Sequence, residues 1–297
     1  MTFRLVPFLI FLALASAALA STRAAHAQED AVERGRYLFA AAGCQGCHTA
    51  KGGELLAGGR ALKTPFGTFY GPNITPDPKH GIGRWSDEDF LRALHEGVSP
   101  DGDFYYPAFP YVSFTGMTDE DILAIKAYIF TLPPVAERSR NHDLDFPYNI
   151  RVALAPWRWR YFEPGPLKPD PGHDEAWNRG AYLVQAVAHC AECHTPRDSL
   201  GGLDKDMAFA GTTDGPEGSI VPNITPNVET GLGDWSAGDF DFFLSLGMMP
   251  DGDVVGDVMY EVIQNGTSKL TPADREAIAA YLRALPPILH AIERKKP

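Results

Sequence analysis

Apolar residues follow a helical spacing in three stretches of the first half of the chain, and three matching stretches follow in the second half. Thr118 and Thr271 each precede the last of these helices, acids stand in the first turn and a Pro-Pro pair follows the end, so both threonines are predicted N-caps. The predicted helices cover about 30–42, 86–96 and 119–131, then 174–188, 236–246 and 272–284.

The segments between these helices are long, rich in glycine and proline, and show no strand alternation, which predicts an all-α, loop-rich fold. Their motifs repeat in the same order as the helices. Pro-Asn-Ile-Thr-Pro at 72–76 returns at 222–226, and the Trp-Ser turn at 85–86 returns at 235–236. We therefore expect two tandem copies of one domain. The expected division is a leader at 1–27, a first domain at 28–134, a connection at 135–175 and a second domain at 176–297.

The connection at 135–175 is dense in proline and aromatic residues, above all in the run at 155–162. A free tether would be rich in glycine and serine, whereas these large side chains need burial. We expect the connection to pack against both domains and to fix their relation. The alternative is an ordinary loop that covers the core of one domain.

The first residues have the pattern of a secretory leader. Arg4 precedes an apolar run from Leu5 to Ala20, and Ala25-His26-Ala27 offers a cleavage site before Gln28. A second cleavage site is present at 18–20, and a retained anchor is the alternative, although the run is short for a membrane span. The pattern predicts a mature protein that begins near Gln28 and works in the periplasm.

The chain is acidic, with a formal net charge of −12. Removing 1–27 takes away Arg4 and Arg23 and no acid, so the mature charge becomes −14. This charge argues against nucleic acid and anionic membrane surfaces as partners and suits a partner with a basic docking face. Because no second apolar segment of spanning length occurs, we expect the mature chain to have no membrane anchor of its own.

All four cysteines belong to two Cys-x-x-Cys-His pentapeptides, at 44–48 and 190–194. Two thiols at this spacing can add to the two vinyl groups of one haem, and the adjacent histidine can ligate its iron. Zinc would need four ligands closing on one ion, and thioredoxin-like dithiols lack the following histidine. The pattern predicts two covalently bound haem c groups. The predicted haem-binding residues are Cys44, Cys47 and His48 in the first domain and Cys190, Cys193 and His194 in the second.

Further motifs accompany the pentapeptides: Arg-Gly-Arg-Tyr-Leu at 34–38, Arg-Gly-Ala-Tyr-Leu at 179–183, His-Thr-Pro-Arg at 194–197 and Thr-Asp-Glu-Asp at 118–121. With them the chain resembles the periplasmic dihaem cytochromes c, which are related to cytochrome subunits of bacterial alcohol, aldehyde and other membrane-associated dehydrogenases. The resemblance covers essentially the whole mature chain. It implies two cytochrome c domains that take electrons from a periplasmic dehydrogenase and pass them to a downstream cytochrome or oxidase. Subunits of that family often carry three haems, whereas this chain has two haem motifs.

A methionine sulfur opposite the histidine closes the haem iron and suits electron transfer. In the second domain, the resemblance and its place in a predicted loop before the closing helix both favour Met259 as this ligand. The other methionines of that domain, Met207, Met248 and Met249, are alternatives that could equally belong to core or surface.

The sixth ligand of the first haem is predicted less directly. The ungapped repeat puts Phe109, which cannot ligate iron, opposite Met259. Met117 stands just before the Thr118 N-cap, and a shifted loop would bring it to the iron, so Met117 is the predicted ligand. The alternative for Met117 is a helix-entry staple that packs on Ile122. Other possibilities for the iron are an open position, or ligation by His80, His95 or His142.

Two alternative functions follow from whether the sixth coordination position of each iron is closed or open. If both irons are closed, the protein is an electron-transfer protein and not an enzyme, and it serves as the cytochrome component of a dehydrogenase system. If the first iron is open, the alternative is a dihaem enzyme such as a peroxidase, in which the second haem supplies electrons to the first.

Overall fold

The computed structural model describes residues 26–292 as short helices joined by long loops. Of the predicted leader, residues 26 and 27 lie in the first helix, and the others lie outside the described residues. Within 26–292, no helix is long and apolar enough to cross a membrane. The helices are 26–41 (α1), Cys44–His48 (α2), Asp87–Glu96 (α3), Tyr111–Phe114 (α4), Asp119–Ile129 (α5), Leu154–Tyr161 (α6), Glu175–Ala181 (α7), Ala191–His194 (α8), Ala237–Leu246 (α9), Asp257–Asn265 (α10) and Pro272–Arg283 (α11).

The six predicted helices are present as α1, α3, α5, α7, α9 and α11, and α7 continues into a π-helical turn at Tyr182–Val187. Both predicted N-caps are confirmed. The Thr118 hydroxyl accepts from the Asp121 N–H, and the Thr271 hydroxyl accepts from the Asp274 N–H, each at 3.2 Å. The mostly helical, loop-rich fold therefore follows from the local sequence.

A small antiparallel sheet in the first domain departs from the predicted absence of strands. Its strands are Ala61–Thr64 (β1), Gly67–Tyr70 (β2) and Asp143–Leu144 (β3), in the order β1-β2-β3. Ala61 pairs with Tyr70, and Gly67 pairs with Leu144 in the connection. Four-residue strands carry too little alternation to stand out in the sequence, and the third strand is recruited by tertiary contact.

The two copies place equivalent elements at equivalent points. Both α3 and α9 end at a left-handed glycine, Gly97 with φ 61° and Gly247 with φ 76°. The first and last helices of each copy cross at a glycine. A Cβ on Gly35 would lie 1.8 Å from the Ala124 carbonyl oxygen, and one on Gly180 would lie 1.9 Å from that of Ala277. Glycine therefore allows α1 to touch α5, and α7 to touch α11, at backbone distance. Buried residues from both copies form one core cluster.

Two tyrosines tie the domains together in a symmetric way. Tyr182 of the second domain donates to the Asp121 carboxylate at 2.5 Å and accepts from the Thr118 N–H at 3.2 Å. Tyr37 of the first domain makes the same pair of bonds to Asp274, at 2.7 Å, and to the Thr271 N–H, at 3.0 Å. Each tyrosine thus reaches a carboxylate in the first turn of the other domain's closing helix.

Each carboxylate in this interface also has an arginine from its own domain. Arg34 Nε donates to Asp121, and the Arg179 guanidinium makes two bonds to Asp274. Burial alone would raise the pKa of the Asp274 carboxyl, but the hydrogen bonds from Arg179 and Tyr37 together hold that pKa below its usual value. Asp274 is therefore an anion at neutral pH and a strong acceptor for the tyrosine.

The connection contacts both domains. On the first domain β3 pairs with β2, and the Leu167 N–H donates to the Gly116 carbonyl at 3.0 Å. On the second domain the Trp157 indole N–H donates to the Leu200 carbonyl at 2.9 Å, and the Tyr161 hydroxyl donates to Asp198 at 2.6 Å. These bonds hold the connection against the two domains rather than leaving it as a free tether.

Removing the interdomain hydroxyl should destabilise the protein. We expect Tyr182→Phe to lower the free energy of unfolding by about 1–3 kcal/mol, because the buried Asp121 carboxylate and the Thr118 N–H lose a partner. Tyr37→Phe should have a similar effect through Asp274. Chemical denaturation followed by haem absorption measures both.

Tyr260 provides the control, since its side chain is 46% exposed and Tyr260→Phe should leave the unfolding curve unchanged. An equal loss of stability in all three variants would contradict the proposed importance of the two interdomain hydroxyls.

Candidate haem sites

A cavity of 1890 Å³ is lined by both Cys-x-x-Cys-His motifs. Binding cavities for a single ligand usually measure roughly 300–1,000 Å³, so this one has room for two large groups. The two copies contribute matching apolar walls. These are Phe90, Leu94, Ile125 and Ile129 from the first domain and Phe240, Leu244, Ile278 and Leu282 from the second.

Backbone carbonyls hold the two motif histidines. His48 Nδ1 lies 2.8 Å from the Pro72 carbonyl oxygen, and His194 Nδ1 lies 2.9 Å from that of Pro222. Since a carbonyl oxygen only accepts, Nδ1 must carry the proton, and Nε2 keeps its lone pair. This is the arrangement of a metal-ligating histidine whose second nitrogen is fixed by an outer partner.

Burial keeps both imidazoles neutral. Desolvation lowers the pKa of His48 and His194, and the hydrogen bond to each proline carbonyl opposes this only in part. A neutral imidazole is the form that donates a lone pair to iron. Both histidines are therefore prepared as ligands by the surrounding chain.

One glycine joins each motif to the loop that holds its histidine. The Gly58 N–H donates to the His48 carbonyl at 2.8 Å, and the Gly211 N–H donates to the His194 carbonyl at 2.7 Å. Both have a left-handed backbone, with φ 84° and 81°. A Cβ on Gly58 would lie 2.6 Å from the Asn73 backbone nitrogen, so no larger residue fits between motif and loop.

The four cysteines are all free thiols. Burial raises the pKa of Cys44 and Cys190 to about 12 and that of Cys193 to about 11, and it also raises the pKa of Cys47. Buried thiol pairs beside a large apolar cavity suit addition to the vinyl groups of a haem.

The Pro-Asn-Ile-Thr-Pro loops are held by their asparagines. The Asn73 amide donates to the carbonyls of Val135 and Glu137 at 2.8 Å, and the Asn223 amide donates to that of Ile288 at 2.8 Å. Each asparagine thereby fixes its loop to the segment that follows the closing helix of its domain. The proline carbonyl opposite the motif histidine is positioned by this attachment.

The two motifs meet where the domains touch. His189, next to Cys190, has its Nε2 3.2 Å from the Ala42 carbonyl of the first domain, and its ring packs on Phe114 at 5.4 Å. Glu192, inside the second motif, accepts from the Ser113 hydroxyl at 3.0 Å. The two haem-binding regions therefore share a boundary as well as a cavity.

Met259 lines the cavity, as a ligand of the second haem would. The loop predicted from the sequence at this residue is wrong, because Met259 lies in helix α10. The flanking glycines and the run of β-branched residues hide this helix in the sequence, and tertiary packing stabilises it. Met249 also lines the cavity, whereas Met207 and Met248 are not among its lining residues.

Met117 is not among the residues that line the cavity. Its side chain is fully buried and belongs to the same core cluster as Ile122, which lies in the first turns of α5. This is the position of the hydrophobic staple that the sequence analysis left as the alternative. Among the histidines, His80 and His142 line the cavity, whereas His95 does not and instead pairs with Asp119.

Several residues of the site were missed in the sequence. The proline carbonyls act through the backbone, so their side chains give no signal. Cationic residues also line the cavity, among them Arg60, which pairs with Glu217 and Glu261 of the second domain at 3.2 and 3.3 Å. Trp159 lines the cavity and is 89% exposed, which places an aromatic side chain at the rim.

The cytochrome c family model matches this chain twice, at residues 32–133 and 178–286. The two matches follow the two copies seen in the structure and together cover more than half of the chain. The chain belongs to the cytochrome c family. This cytochrome has the haem motifs, the histidine arrangement and the apolar cavity that the family requires.

Relatives of known type support the same conclusion. A diheme c-type cytochrome of Cereibacter sphaeroides is 45% identical over 266 residues, which make up 86% of each chain. The fructose dehydrogenase cytochrome subunit of Gluconobacter japonicus is 40% identical over 88% of this chain and 54% of its own length. The cytochrome c subunit of the quinone alcohol dehydrogenase of Gluconacetobacter polyoxogenes is 39% identical over 94% of this chain and 60% of its own length.

This cytochrome thus spans little more than half the length of the two dehydrogenase subunits. The family and the dihaem relative establish two covalently bound haem c groups as its cofactors. The residues of the cavity fit two such groups, because each half supplies a thiol pair, a neutral histidine and a matching apolar wall. The cytochrome is an electron carrier rather than a catalyst of substrate oxidation.

Gly58→Ala should be strongly destabilising. The left-handed backbone alone costs about 1–2 kcal/mol for a residue with a Cβ, and contact with the Asn73 backbone should add to that cost and displace the loop that holds His48. We expect a total loss of roughly 3 kcal/mol or more. Denaturant unfolding of the haem-loaded protein measures the loss.

Gly52 is the matched control, since it has a left-handed φ of 74° but nothing within 4 Å of its added Cβ. Gly52→Ala should cost only the backbone strain of about 1–2 kcal/mol. Equal losses for the two variants would show that contact between Gly58 and the histidine loop is unimportant.

Proposed function

We propose that this cytochrome carries electrons one at a time from a periplasmic dehydrogenase to a downstream cytochrome or oxidase of the respiratory chain. The observation that carries the proposal is that His48 and His194, each held with Nε2 free, line one cavity. The two domains around this cavity are hydrogen-bonded to each other. Electron transfer between two centres slows steeply with distance. A fixed, shared cavity therefore suits an electron relay.

The proposal assigns Cys44 and Cys47 to the first haem, and Cys190 and Cys193 to the second. Each S–H adds across one vinyl double bond, so that sulfur joins one carbon, the thiol proton joins the other, and nothing is released. His48 and His194 would hold the irons through Nε2, and the Met259 sulfur would be a further ligand of the second iron.

When bound, the two haems would supply the one-electron redox chemistry. The reduced cofactor of the dehydrogenase is the electron donor, and the oxidised downstream cytochrome or oxidase is the acceptor. The residues of this chain keep the geometry fixed. Tyr37 and Tyr182 hold the domains together, while the carbonyls of Pro72 and Pro222 prevent the ligating imidazoles from rotating.

The cellular location and the donor are supported by the sequence and by the relatives. The predicted leader at 1–27 would send the chain to the periplasm, where haem c is attached. Two relatives are cytochrome subunits of dehydrogenases that are named for fructose and for alcohol. We infer that the donor is a dehydrogenase of a small alcohol, a sugar or a related compound.

The test is haem reduction in a periplasmic fraction from the native host that contains the holoprotein. Adding members of a panel of alcohols, sugars, aldehydes and sugar acids should reduce both haems with at least one compound, because the dehydrogenase then has electrons to deliver. Absorption of the ferrous haems measures the reduction, and mass spectrometry should show a chain that begins near Gln28 and carries two haem masses.

Two matched double variants, Cys44→Ala/Cys47→Ala and Cys190→Ala/Cys193→Ala, each remove one attachment site. Each should lower covalently bound haem to half and slow electron flow from substrate to oxygen, because a relay needs both centres. The proposal fails if dithionite reduces the haems of the intact protein but no compound of the panel does, or if either double variant supports the full flow of electrons.

A further inference from the structure

The two copies differ at one place in the cavity wall. Bridges at Val98–Phe104 and Met248–Val254 occupy matching positions, and five residues beyond each bridge lie Phe109 and Met259. Both of these side chains line the cavity. Counted from these bridges, Phe109 and Met259 correspond, although Phe109 precedes helix α4 and Met259 lies in α10. At this point the first domain has a phenyl ring where the second has a thioether.

Met117 has a counterpart of its own, and that counterpart is not a ligand. Both Met117 and Leu270 stand directly before the N-cap threonine of a closing helix, and both are buried core residues, with 0% and 4% exposure. The equivalence is fixed by the tyrosine bonds to Thr118 and Thr271. Met117 thus occupies the packing position of a leucine in the core cluster and is not among the residues that line the cavity.

The cavity-lining histidines are not prepared to bind iron opposite His48. His142 Nδ1 accepts from the Tyr70 N–H at 3.2 Å, so Nε2 carries the proton of the neutral ring and has no lone pair to give. His189 has its Nε2 directed to the Ala42 carbonyl at 3.2 Å.

His80 belongs to the side of the cavity that holds His48. It lies just before Gly81, which packs against the Thr75 carbonyl in the Pro-Asn-Ile-Thr-Pro loop. Its counterpart in the second copy, Thr230, accepts from the Asn223 amide of the matching loop. His80 therefore lies with the Pro-Asn-Ile-Thr-Pro loop that holds His48, and not on the opposite side of the cavity.

Two phenols have ring contacts with Phe109, those of Tyr105 and Tyr111. Tyr105 lies edge-on to Phe109 at 5.6 Å and also lines the cavity. Burial raises the pKa of Tyr105 to about 12, so its hydroxyl stays protonated at neutral pH and is a poor iron ligand. It remains available as a hydrogen-bond donor.

We propose that the iron of the first haem has an open sixth position beside Phe109, where it binds a small uncharged diatomic molecule. The inference rests on the proposed function for the assignment of His48 to that iron. It differs from that function in giving the two haems different roles: the second is closed by Met259, whereas the first is accessible to an external ligand.

The wall around Phe109 selects the class of ligand. Phe109 contacts the rings of Tyr105 and Phe114, at 5.6 and 5.8 Å, so this part of the wall is aromatic. Such a wall favours a compact, uncharged ligand over an anion, and the Tyr105 hydroxyl supplies a polar group for its far end. Carbon monoxide on the ferrous protein is the direct probe.

The first experiment titrates the reduced holoprotein with carbon monoxide at neutral pH and measures the far-red methionine-to-iron absorption of the ferric protein. We expect one carbon monoxide per chain that contains two haems, and far-red absorption equal to one methionine-ligated haem. Met259→Leu should abolish that absorption. Met117→Leu, the matched control, should change neither the absorption nor the carbon monoxide stoichiometry.

The second experiment closes the proposed opening. Phe109→Met restores the methionine that the other copy has at this point, so far-red absorption should double and carbon monoxide binding should fall from one per chain to none. Phe109→Leu, which removes the ring without adding a ligand, should keep carbon monoxide binding.

The proposal is overturned if the wild-type protein binds no carbon monoxide, if its far-red absorption corresponds to two methionines, or if Met117→Leu removes part of that absorption. These failures are distinct from failure of the proposed function. Covalent haem is counted independently by pyridine haemochrome absorption, and a count of two with no carbon monoxide binding rejects the open position while leaving the electron relay intact.

Discussion

The hydrogen bond from each motif histidine to a proline carbonyl is the constraint on which the rest of the structure depends. It fixes the tautomer and the ring orientation of His48 and His194, so that Nε2 faces the cavity. Neighbouring glycines and asparagines support this hydrogen bond. Glycines at 58 and 211 allow loop and motif to approach, and the buried amides of Asn73 and Asn223 hold the loops from behind.

The two copies share this arrangement and are joined by matching contacts. The exchanged tyrosines place each domain against the N-terminus of the other's closing helix, and the second motif touches the first domain through His189 and Glu192. The cavity is consequently shared. The two copies repeat the haem-binding parts closely, and the difference between Phe109 and Met259 is the basis of the proposed difference between the two irons.

Much of this could be predicted from the sequence because it depends on local chemistry. The Cys-x-x-Cys-His spacing predicts attached haem by itself, and threonine before an acidic first turn predicts the caps at 118 and 271. Contacts between distant segments were not predictable in the same way. The proline carbonyls lack a side-chain signature, and strand β3 forms only because the connection returns to β2.

Met117 and Met259 show a second limit of prediction from the sequence. Both residues are methionines near a closing helix, and residue type alone does not separate a core staple from an iron ligand. Burial and equivalence distinguish their positions: Met117 corresponds to Leu270 in the core, whereas Met259 lies in a helix along the cavity, where the proposed ligand is needed. The repeated Tyr37 and Tyr182 were visible as a motif, but their bonds to the opposite domain became evident only in three dimensions.

On the proposed assignment, one histidine arrangement serves two haems whose sixth positions differ. Low-temperature electron paramagnetic resonance of the fully ferric protein reports the ligand field of each iron. An open first iron and a methionine-ligated second iron should give one high-spin and one low-spin signal of equal integrated intensity. Two low-spin signals would contradict it, since both irons would then have a strong sixth ligand.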